Sequence, residues 1–284
     1  MDRLALGVAA ACMASLLYDL GLAMQALEAR EVPAEHSLRL SLLGRLLRRP
    51  LWLGGTVVAL LGFPLQVLAL GWAPLTVVQP ALAVGLLLLL AIGVRRLGEH
   101  VGRREVTATL AIVAGVTGIA LAAPEHTTHH AGGATLAAGL GALGLLCLLP
   151  YARRSKAGGS FAVALAAGGA YAWSGISSKL LADQLSSGTA LAAAVWLVAT
   201  ALVAGLGMLS EMTALQRHPA TRVAPAVFSV QVVVPVLLAP ALGGESWSST
   251  PLSGGLLLAL LALVALGATA LGRSPAVARL VEAS

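Results

Sequence analysis

The residues most able to do chemistry are few and sit among apolar neighbours. Asp19 lies inside the long apolar run Leu4 to Leu27. An ionised Asp at the centre of a helix in lipid costs about 2.5–3.5 kcal/mol, so such a group tends to face a cavity, bind a cation or proton, or pair with a base. A neutral, hydrogen-bonded structural Asp is the alternative at this position. Glu211 is a second carboxylate in an apolar run, close enough to its end to reach water. Gln79 and Gln231 place donor-and-acceptor amides within apolar stretches, where they can orient a solute or bridge two helices. Lys179 is a base within such a stretch, and Asp183 follows one helical turn later, the spacing of an i,i+4 ion pair at the membrane interface. If Lys179 pairs there and leaves Asp19 alone, the interior carries net negative charge, which favours cations or proton coupling.

A second candidate is the segment Glu125-His126-Thr127-Thr128-His129-His130. His126, His129 and His130 have spacings that let two imidazoles share one metal ion if the segment turns helically; a solvated connecting loop is the other reading. Cys12 and Cys147 both lie in apolar runs, which argues against a disulfide framework or a thiolate metal site. No HExxH or GxSxG is present, nor a dense set of Asp and His, so an enzyme is not expected.

These side chains need elements that can hold them in a bilayer. Hydrophobic residues make up 58% of the 284-residue chain, charged residues 11%, and the mean hydropathy is +0.90. That balance excludes a water-soluble globule. A spanning helix needs roughly 20 apolar residues, and stretches near 4–27, 51–71, 74–94, 105–123, 132–150, 161–181, 189–210, 224–241 and 251–271 meet this need. The charged segment 34–49 is expected to lie on the membrane surface as an amphipathic helix. The formal charge of +6 comes from 18 Lys and Arg, placed in the breaks between apolar runs and not in a nucleic-acid-binding cluster. With nine spans, all of them but Arg3 and Lys179 fall on one face. The positive-inside rule then puts the N-terminus outside and the C-terminus in the cytoplasm.

The chain also repeats itself. Gly62 to Ala81 aligns without gaps to Gly207 to Ala226, pairing Pro74 with Pro219, Thr76 with Thr221 and Pro80 with Pro225. Gln66 falls at the position of Glu211. Gly98-Glu99 corresponds to Gly244-Glu245 after one inserted residue, and Ala9–Leu22 loosely echoes Ala166–Leu180. Glu99 and Glu245 suit a helix N-terminus, where a carboxylate complements the dipole. Pro80 and Pro225 are expected to break helices around a mid-membrane site, packing kinks being the plainer reading. The expected organisation is a first repeat over 1–123, a linking helix with its loops over 124–160, and a second repeat over 161–284. Four spans plus one is odd, so the second repeat enters the membrane from the opposite side, as alternating access requires.

The stretch "LGWAPLTVVQPALAV" through "RRLGEHVGRREV" to "GIALAAPE", with "LQRHPATRVAPAVFSV" to "LGGESW" in the second copy, resembles the drug/metabolite transporter superfamily, in its EamA-type and NIPA-like branches. The resemblance covers about half the chain. It implies an all-helical bundle, a central cavity and transport of a small solute. Nine spans match the NIPA-like branch, associated with magnesium, although the branch's early basic cluster is here Gln25-Ala26-Leu27 and its acidic residue before the hinge proline is here Phe63. The resulting expectation is an all-α, multi-pass protein of the cell membrane acting as a secondary transporter of a metabolite or a divalent cation such as Mg2+. A flippase for lipid-linked substrates is the alternative. The expected pathway residues are Asp19, Gln66, Gln79, Pro80, Glu211, Pro225 and Gln231. No bound cofactor is expected, Mg2+ or a proton entering only as transported or coupling ion. The expected partners are the bilayer and the solute, with a homodimer left open and no nucleic acid.

Overall fold

Long apolar runs with little charge have one way to satisfy their backbone in lipid, and the chain takes it: in a computed structural model, described for residues 3–30, 38–85, 102–125, 132–152, 162–216, 220–242 and 244–272, every regular element is helical. The helices are α1 (Arg3–Arg30), α2 (Leu40–Leu46), α3 (Pro50–Trp72), α4 (Leu75–Ala81, extended by a 3-10 turn Leu82–Val84), α5 (Arg103–Leu121), α6 (Gly133–Ala152), α7 (Ala162–Ser186), α8 (Ala190–Leu215), α9 (Ala220–Leu242) and α10 (Gly255–Gly272). Among the described residues there is no strand. Five stretches are long and apolar enough to cross a membrane: Arg3–Gln25, Pro50–Trp72, Gly133–Ala152, Ala190–Leu215 and Pro251–Ala270. Shorter apolar helices lie at Leu75–Val84, Val106–Leu121 and Ala226–Leu242. Their outer faces are greasy: on α8, Leu191, Val195, Val198 and Leu202 are exposed along one side. A surface of that kind suits lipid.

α7 is the exception in composition. It carries Lys179 and Asp183, and it is the most enclosed of the long helices, packing on α3, α4, α6, α8 and α9. Small residues let it in. Gly168 meets the Val227 carbonyl so closely that a Cβ there would lie 2.7 Å from the oxygen. Enclosure in turn permits polarity, since α7 is shielded from the apolar solvent that its neighbours face.

Helix contacts come in matched pairs. α1 packs along α3 as α7 packs along α8; α1 touches α4 as α7 touches α9; α1 touches α8 as α7 touches α3. Two further contacts, α4 with α9 and α5 with α10, join corresponding helices to each other. The pairing reaches individual side chains. A Cβ on Gly62 would lie 3.1 Å from the Tyr18 ring, and one on Gly207 would lie 3.0 Å from the Tyr171 ring. This sets Tyr18 of α1 opposite Tyr171 of α7, a register four to five residues away from the loose echo of Ala9–Leu22 in Ala166–Leu180.

The segment expected on the membrane surface is partly described. α2 turns Leu42 and Leu46, with Leu38 before it, into a second apolar cluster with Leu209, Met212 and Val223. The Leu38 N–H donates to Thr213 Oγ1 at 3.0 Å. Leu40 and Arg45 stay exposed, so α2 has two faces, one of them spent on protein.

Candidate functional site

Where the two sets of helices meet, a cavity of about 460 Å³ opens between α1, α3, α4, α7, α8 and α9. Its wall is mainly apolar, and Asp19, Gln66, Gln79, Glu211 and Gln231 all line it. Five side chains from Asp19 to Gln231, 212 positions apart in sequence, thus share one chamber. Pro80 is absent from the lining, and the Pro225 side chain lies outside the described ones. Pro80 instead shapes α4: lacking an N–H, it cannot bond the Thr76 carbonyl, and the chain tightens into the 3-10 turn just beyond it. Pro225 lies within α9, two residues before Val227, which does line the cavity. His126, His129, His130 and Glu99 lie outside the described residues.

Ser15 holds the end of the tightened turn against α1. Its hydroxyl donates to the Leu82 carbonyl and accepts from the Gly85 N–H at 2.7 Å. Asp19, one turn along α1, presses on the same place, since a Cβ on Gly85 would stand only 2.0 Å from Asp19 Oδ2. That oxygen is buried with no hydrogen-bond partner among the described residues, and so are both Nε2 and Oε1 of Gln79. Glu211 is better served. Tyr171 Oη donates to Glu211 Oε2 at 2.8 Å, and in the matching place Tyr18 Oη donates to Gln66 Oε1 at 2.6 Å. Asp19 and Glu211 thus place two carboxylates on the wall of one chamber.

Sequence reasoning missed both tyrosines and the polar floor of α7 and α8. Ser177 Oγ and Thr200 Oγ1 are 2.7 Å apart, and Thr200, Ser174 and Ser178 border the cavity. A tyrosine at the same height above each repeated glycine was the available signal, hidden by the register slip in the first helix of each copy.

Lys179 does not enter the cavity. Its Nζ bonds Asp183 Oδ1 at 2.6 Å, as the i,i+4 spacing suggested, but the pair is enclosed, with side chains 2% and 5% exposed. Lys179 also acts electrostatically on Glu245. The Glu245 carboxylate accepts from the Leu75 N–H at 2.6 Å, from the Thr76 N–H and from the Thr76 hydroxyl, and so caps the start of α4. A helix N-terminus was the expected place for this carboxylate; the helix belongs to the other half of the chain. Burial pushes its carboxyl up from the ordinary range, opposed by these donors and by the Lys179 charge.

Fold and site together define, among the described residues, an all-helical bundle with several helices of membrane-spanning length around a chamber bearing two carboxylates. No family model matches the chain, and no solved structure does. It is 38% identical over 103 residues to an uncharacterized protein of Corynebacterium glutamicum. The shared stretch is 36% of this chain and 36% of that protein.

Proposed function

We propose that the chain is a secondary transporter that carries a small solute across the cytoplasmic membrane by alternating access. The observation behind this is the position of the cavity, walled by helices from both of the contact-matched halves. A chamber at such a junction can open to one face or the other when the halves exchange conformations. The same proposal takes nine spans, a four-one-four inverted arrangement, an external N-terminus and a cytoplasmic C-terminus. The one-sided Lys and Arg distribution and the paired helix contacts support it. Membership of the drug/metabolite transporter superfamily belongs to the proposal too, resting on the proline-bearing motifs. A metabolite and a cation both fall within its cargo.

The test is two-sided access. A single cysteine at Ala204, in the cavity wall, is placed in a chain whose Cys12 and Cys147 are replaced by alanine. Membrane-impermeant thiol reagents are then applied to right-side-out and inside-out vesicles. Labelling from both faces is expected, and labelling confined to one face in every condition would sink alternating access.

A further inference from the structure

We infer that the central cavity takes an amphiphilic organic cation, an ammonium group carried on an apolar body, with Asp19 as its counter-ion. This rests on the transport reading of the same cavity and narrows its cargo.

The first ground is charge. Among the described residues lining the chamber, Asp19 and Glu211 are the charged ones, and none is Lys, Arg or His. Lys179, the base expected within a span, is held 2.6 Å from Asp183. Glu211 already accepts from Tyr171, which leaves Asp19 as the carboxylate better placed to meet a ligand.

The second ground is unmet polarity. Asp19 is 7% exposed and Gln79 is 1% exposed, yet Asp19 Oδ2 and the whole Gln79 amide lack partners among the described residues. Buried polar atoms without partners are destabilising, more so when charged, unless a ligand or water meets them. A solute bringing a positive charge and an N–H or hydroxyl beside it answers both.

The third ground is the wall. Tyr18, Phe63, Tyr171 and Phe228 contribute rings to a mainly apolar lining, and ring faces attract ammonium groups while their bodies accept hydrocarbon. The volume of about 460 Å³ suits an organic molecule. A divalent metal fits less well: Mg2+ demands octahedral oxygen ligation, and among the described residues no group of three His, Cys, Asp or Glu gathers to hold an ion. An anion would face two carboxylates.

The experiment uses the full chain in proteoliposomes, with benzyldimethyl(2-hydroxyethyl)ammonium as probe, neutral 3,3-dimethyl-4-phenylbutan-1-ol as its uncharged isostere, and Mg2+ and benzoate as controls. Binding is read by thermal stabilisation of purified protein and by titration calorimetry, and passage by counterflow. Saturable binding of the ammonium probe is expected, weakened about tenfold or more in Asp19→Asn and largely retained in Asp19→Glu. Phe228→Ala should weaken it severalfold and provides a second readout if Asp19→Asn does not fold. Equal binding of the isostere, preference for Mg2+ or benzoate, or indifference to both Asp19→Asn and Phe228→Ala would overturn the assignment; counterflow of benzoate would do so while leaving transport standing. Asp19-dependent binding without any counterflow would uphold the site and count against transport.

Discussion

Two glycines on α7 separate the shape of the chamber from the stability of the bundle. A methyl group on Gly175 would come within 2.5 Å of Gln79 Nε2, the free end of a flexible side chain that can swing aside. One on Gly168 would meet the Val227 carbonyl at 2.7 Å and the Val230 Cβ at the same distance, where backbone must move. Gly175→Ala should therefore leave thermal unfolding in detergent almost unchanged and reduce binding of the ammonium probe. Gly168→Ala should lower stability by about 1–3 kcal/mol, as overpacking does. An equal loss of stability in both would show that Gln79 is rigidly held. Much at this scale was legible beforehand. The cost of burying a carboxylate or an amide singles out Asp19, Gln79, Glu211 and Gln231 from any apolar run, and the repeat adds Gln66. Tyr18 and Tyr171 were not legible, because a tyrosine in an apolar run is unremarkable until its hydroxyl is seen to meet Gln66 or Glu211 on another helix.

For elements, the telling case is α4. Its first amides point at a carboxylate from the loop after α9, so Glu245 sets where α4 begins. Glu245→Ala removes every acceptor from the Leu75 and Thr76 donors and leaves Lys179 with less opposing charge nearby. A loss of about 2–3 kcal/mol is expected, from unmet buried donors. Glu245→Gln keeps one carbonyl oxygen and should fall between Ala and wild type when thermal unfolding is compared. Gln behaving like Ala would mean that the negative charge, more than the hydrogen bonds, matters here. Among the described residues hydropathy was enough to place every long helix, since lipid leaves so few alternatives, while the second half of the expected span 74–94 lies outside them. It was not enough for α2. The charge of 34–49 showed that the segment cannot span, yet Leu38, Leu42 and Leu46 recur at four-residue intervals, a packing stripe that the charged neighbours obscured. Its partner, the end of α8 with α9, is remote in sequence and could not be read locally.

Across the whole molecule, matched contacts around a shared chamber are what a repeated sequence looks like once folded. The charge asymmetry commits the proposal to a direction. A tag placed before Arg3 should react with impermeant reagents on intact cells, and one placed after Ser284 only after permeabilisation. The reverse pattern would invert the orientation, and both tags on one side would remove the odd number of spans. The repeat was readable from its prolines, but the closure of each half by the other was not, because identities along a chain do not reveal which copy touches which. The reliance of α4 on Glu245 also has a bearing on biosynthesis. Residues 75 and 245 are 170 positions apart, so on the ribosome this helix end waits for its acceptor until those further 170 residues have been made. Divided after Lys156 into two co-produced pieces, the chain should assemble; the leading piece made alone should be cleared by quality-control proteases, because its buried α4 donors lack the Glu245 acceptor.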